Sequence, residues 1–77
     1  MNVNMSPAEA NKVPTQVIYD NGSYKIESCY IPQCYHVATL TFFLDANDGS
    51  RVTSGENFNE LRRLADTLAQ CDAALAA

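Results

Sequence analysis

Residues 34–44 read Cys34-Tyr35-His36-Val37-Ala38-Thr39-Leu40-Thr41-Phe42-Phe43-Leu44, and this stretch decides the fold. β-branched and aromatic side chains alternate along it, so it reads as a strand with bulk on both faces. His36, Ala38, Leu40, Phe42 and Leu44 point one way, and Tyr35, Val37, Thr39, Thr41 and Phe43 point the other. A chain of 77 residues has material for one core only. The question is therefore what covers each face of this strand.

Upstream, Ile31-Pro32-Gln33 reads as a turn, because proline cannot donate to a ladder. A strand from about Tyr24 to Ile31 precedes it, and Thr15–Tyr19 forms another. The two are joined by Asp20-Asn21-Gly22-Ser23, whose Asn-Gly pair tolerates the positive backbone angles of a tight hairpin. Residues 1–14 form an N-terminal arm or a short helix. Ser6 caps that helix, Pro7 opens it, Glu9 completes a capping box, and Pro14 ends it. Residues 15–77 form a single β-β-β-(β)-α domain.

Downstream, Asn47-Asp48-Gly49 is the centre of a turn and Arg51-Val52-Thr53 makes a short fourth strand. Asn57 with Glu60 then caps a helix. Phe58, Leu61, Leu64, Ala65, Leu68, Cys71, Asp72 and Leu75 fall at helical spacing on one stripe of it. The fold class is α+β: a three- or four-stranded antiparallel sheet packed on one C-terminal amphipathic helix, with an optional short N-terminal helix. One helix covers one face. Tyr35, Val37, Thr39, Thr41 and Phe43 are left on the other, and leaving two aromatics and a valine exposed forgoes several kcal/mol at about 25 cal/mol per Å2. A second protein molecule, either another copy or a partner, is the expected cover.

Charge narrows the partner. Five basic residues against nine acidic give a net charge of −4, and the basic ones are scattered, so no stripe tracks a phosphate backbone and direct nucleic-acid binding is not expected. Asp45, Asp48 and Glu56 form an acidic loop edge suited to a basic partner. No stretch approaches a membrane span or a secretory signal, and the odd count of Cys29, Cys34 and Cys71 fits free thiols in a reducing compartment, so a cytoplasmic protein is expected.

Cys29, Cys34, His36 and Cys71 are the residues that resemble a metal set, but their spacing lacks the tight knuckles of structural zinc. Cys29 and Cys34 flank the Pro32 turn and could face each other across it as a disulfide. A Cys–His nucleophile pair would lack an oxyanion loop and a third orienting group. No catalytic residue and no cofactor is expected. In size, acidity and sheet-plus-helix plan, over the whole chain and without a shared motif, the sequence resembles small phage and mobile-element inhibitors, among them the anti-CRISPR proteins. That resemblance implies stoichiometric binding to a CRISPR effector complex in the host cytoplasm, blocking target DNA recognition or nuclease recruitment. The other readings are a regulatory or antitoxin-like subunit of a host complex and a minimal Cys/His metal-binding domain.

Overall fold

The strand that decides the fold runs through Val37–Ala46 and sits at the centre of the molecule. In the computed structural model, which describes residues 2–76, the elements in chain order are β1 (Asn2–Asn4), α1 (Pro7–Lys12), β2 (Gln16–Asp20), β3 (Tyr24–Cys34), β4 (Val37–Ala46), β5 (Arg51–Gly55) and α2 (Phe58–Ala76). All five strands join one antiparallel sheet. β3 lies along the whole of one side of β4, and β2 lies outside β3. The other side of β4 is shared: β1 pairs with Val37–Thr39 and β5 with Phe42–Asp45, leaving Leu40 and Thr41 between them.

The Asn21-Gly22 hairpin forms as its residue types dictate. Gly22 takes a φ of +93°, Asp20 Oδ1 accepts from the Gly22 amide at 2.8 Å, and Asn21 Oδ1 accepts from the amides of Ser23 and Tyr24 at 3.0 and 2.8 Å. Gly49 plays the same part in the next turn at φ +92°.

The β3–β4 hairpin differs from expectation. β3 does not stop at Ile31 but continues through Pro32 to Cys34, and the chain reverses at Tyr35-His36. Two features accommodate the proline. β2 covers only Lys25–Ser28 of β3, so β3 has a free side at Pro32, and the register shifts between Pro32 and Cys34 in a bulge.

Both helices pack on the same face. Partners across a ladder share a face, so Tyr24, Ile26, Ser28 and Tyr30 of β3 lie with Ala46, Leu44, Phe42 and Leu40 of β4. Ile26 and Leu44 are fully buried there against Leu61 and Ala65 of α2, flanked by Tyr19, Tyr24, Phe42, Phe58 and Leu68. Phe58 meets Phe42 at 5.8 Å and Tyr19 edge-on at 6.3 Å between ring centroids. Asn57 caps α2, its side chain accepting from the Glu60 amide at 3.3 Å. Near the other end of the face α1 buries Ala10, Ala38 is fully enclosed, and Val13 and Pro14 wall a hollow over Ser28, Tyr30, Leu40 and Phe42. The Ser6 cap is made as expected, Ser6 Oγ accepting from the Glu9 amide at 3.2 Å and donating to Glu9 Oε1 at 3.1 Å. β1 thus joins the sheet through β4, and α1 packs on its helix side through Ala10.

Tyr19 and Tyr24 tie α2 down by their hydroxyls, donating to Asp66 at 2.5 Å and Asp72 at 2.6 Å. Asn21 adds a bond from its side-chain amide to the Ala65 carbonyl at 3.1 Å. This explains the one polar member of the helical stripe: Asp72 receives a tyrosine. Past it the helix has little to pack on, and Leu75 is 86% exposed.

Candidate interaction face

The sheet face opposite the helices is built from alternate residues of three strands. Lys25, Glu27, Cys29 and Ile31 of β3 lie beside Asp45, Phe43, Thr41 and Thr39 of β4, and Val17 of β2 lies beside Glu27. Val37, Thr39, Thr41 and Phe43 share this face, as the alternation requires. Tyr35 does not: it belongs to the hairpin turn and is 82% exposed, because β4 begins at Val37, three residues later than expected. Thr39 is on the face but closed off, 7% exposed, with its hydroxyl donating to Asn2 Oδ1 of β1 at 2.9 Å.

At one end the face is polar and locked. Asp45 is not a loop carboxylate but a β4 residue only 4% exposed. Arg51 Nε donates to its Oδ1 at 3.0 Å, and the same guanidinium lies over the Phe43 ring at 4.0 Å. Glu27 completes the group by a carboxyl hydrogen bond to Asp45. That bond, then burial and the neighbouring charge of Asp45, raises Glu27 above the usual carboxylate range. Burial works against ionising Asp45, yet the bonds from Glu27 and Arg51 outweigh it and hold Asp45 below that range. The two carboxyl groups are thus pushed apart, Glu27 upward and Asp45 downward.

At the other end the face is apolar and open. Cys29, Ile31, Val37 and Thr41 are all half-buried, Val17 is 52% exposed, and among the described residues neither helix lies over them. Burial is the main cause that raises the Cys29 thiol, which favours its neutral form on this face.

The remaining candidate residues are dispersed. Asp48 is engaged within its own turn, accepting from the Ser50 amide at 2.8 Å and its hydroxyl at 2.6 Å. Glu56 follows the far end of β5, so Asp45, Asp48 and Glu56 do not make one acidic edge. Cys29 and Cys34 lie on one extended strand, opposite Thr41 and Val37, about 16 Å apart by strand rise. That separation excludes a disulfide between them, and all three thiols are free. Cys71 is on α2, across the sheet from Cys29, and His36 sits in the β3–β4 turn. Among the described residues no group of three or more His, Cys, Asp or Glu side chains could hold a metal ion.

Sequence reasoning missed Glu27, Cys29, Ile31 and Arg51 as members of the face. For Glu27, Cys29 and Ile31 the signal was the period-2 pattern of residues 25–31; Arg51 joins through its pairing with Asp45, which no local pattern shows. No described helix is long and apolar enough to cross a membrane. Comparison of the chain with protein-family models, with curated proteins and with solved structures gave no match.

Proposed function

We propose that this chain is a non-enzymatic binding module that works by burying the helix-free sheet face against another protein, in the first place a second copy of itself. One observation carries the reading: both helices pack on the same side of the sheet, so among the described residues the half-buried Ile31, Val37 and Thr41 lie under no helix. A self-complementary patch of β-branched side chains with one locked charged end suits a twofold contact, in which the apolar parts meet and the Arg51 ends stay at the rim. The net charge of −4 and the size of the chain support the further proposal that the dimer is a stoichiometric inhibitor of a larger host complex, of the anti-CRISPR type.

Sedimentation equilibrium tests the first part. The chain should associate, and Thr41→Arg, which sets a charge in the middle of the face, should weaken association by about tenfold or more at unchanged far-UV circular dichroism. Association that ignores the substitution would overturn the proposed face. For the inhibitor reading, the chain expressed in cells with an active CRISPR effector should protect targeted DNA, and Thr41→Arg should not. Equal loss of targeted DNA with and without the chain would overturn it.

A further inference from the structure

On the side of the sheet that carries the helices, the outer edge of β5 and the flank of α2 enclose a groove of about 510 Å3. Thr53, Ser54 and Gly55 line it from the strand, and Glu60, Leu61 and Leu64 from the helix. Among the described residues β5 pairs only with β4, so its outer edge presents backbone N–H and C=O groups without a strand partner. No proline interrupts Arg51–Gly55, and every residue keeps its donor.

The sheet's other exposed edges are poorer templates, and the free side of β3 beyond β2 carries Pro32, which donates no hydrogen bond. β2 is broken by a bulge between Val17 and Tyr19, and β1 has only three residues. The β5 ladder has its irregularity at the Arg51 end, and Thr53–Gly55 pair with Leu44–Phe42 in unbroken register. Leu64, 37% exposed, gives the groove an apolar wall beside the buried Leu61.

We propose that this groove receives an extended segment of a partner protein as an added strand on β5, with an apolar side chain over Leu61 and Leu64 and a basic one against Glu60. Main-chain pairing supplies affinity in such an arrangement, and alternate side chains supply specificity. The acidic wall, on a chain of net charge −4, selects a basic segment. A second copy is a poor occupant of this groove, since the cationic side chain of its own β5, Arg51, is already held by Asp45 and Phe43. This surface is separate from the helix-free face, and the inference does not rest on the function proposed for that face.

The test is a titration of the nitrogen-15-labelled full chain with the short peptide acetyl-Arg-Thr-Val-Thr-Arg-Thr-amide, whose alternate side chains carry the required chemistry in either strand direction. Amide shifts and slowed hydrogen exchange should centre on Thr53–Gly55. Glu60→Lys and Leu64→Gln, both at exposed positions, should each weaken binding by about tenfold, while Gln16→Lys, exposed on the β2 edge, leaves it unchanged. A peptide N-methylated on the residues that pair with β5 should fail to bind the unaltered chain, which keeps the test decisive if a variant misfolds. Three results would overturn the proposal: no change at β5 with millimolar peptide, binding that survives N-methylation, or a dimer whose β5 amides are protected without peptide.

Discussion

The two faces of the sheet meet the same demand in different ways. On the helix side, Ile26 and Leu44 are fully buried beneath Leu61 and Ala65, and polar groups enter only as tethers, Tyr19 to Asp66 and Tyr24 to Asp72. On the other side no helix is supplied, and burial is local: Arg51 folds back over Phe43 and neutralises Asp45, while β1 closes Thr39. Area removed from water stabilises the first face. Directional contacts among a few side chains protect part of the second and leave the rest available. Adjacent residues of one strand, such as Leu44 and Asp45, therefore owe their burial to different physics.

The largest expected effect comes from Leu44→Ala, which removes the centre of the helix-side core and should cost about 2–5 kcal/mol in urea unfolding. Phe43→Ala, one residue away on the other face, should cost clearly less because its partner is one half-exposed arginine. Equal losses would dissolve the contrast between the faces. Next comes Asp45→Ala, which leaves Glu27 and Arg51 without their shared acceptor and should cost about 1–3 kcal/mol by the same measurement. A loss no greater than that of a surface substitution would show that the locked end is not held by this network.

The third prediction concerns pH. Asp45 is held below its ordinary range, so its contribution is present above that range and is lost as pH falls through its lowered native value. Glu27 is held above its ordinary range, so its contribution is present in acid and is lost as pH rises through its raised native value. The network is strongest between the two. Glu27→Gln keeps a donor for Asp45 at every pH, so thermal unfolding scans should lose the decline on the alkaline side and keep the acid one. An unchanged alkaline decline would place its origin elsewhere. Last and smallest, Leu75→Ala should change stability by less than about 0.5 kcal/mol, since Leu75 lies beyond the sheet at 86% exposure. A larger loss would mean that the end of α2 is packed in solution and that the helix side extends further than the sheet.

What could be read from the sequence was the local chemistry. Ser6 with Glu9, Asn57 with Glu60, and the glycines of the two turns each act within four residues of themselves, so their neighbours in sequence are enough to specify them. The period-2 pattern of β4 likewise placed Val37, Thr39, Thr41 and Phe43 on one face. What could not be read depends on elements remote in the chain. Pro32 stays inside β3 because β2 is too short to reach it, and a reading of residues 31–33 alone takes it for a turn. Tyr35 leaves the candidate face for that reason. Asn2–Asn4 has too few residues to declare itself a strand, and becomes one through β4. Asp45 looks like a surface carboxylate until Arg51 folds over the sheet and Glu27 arrives from β3. The sequence by itself determined both helices and most of the strands, the caps, the two glycine turns and the alternation of the central strand, because these are set by interactions over a few residues. Only the tertiary structure decided that both helices share one face, which side chains remain open on the other, and where the cysteines lie relative to one another, because those outcomes depend on register between strands and on the packing of segments far apart in the chain.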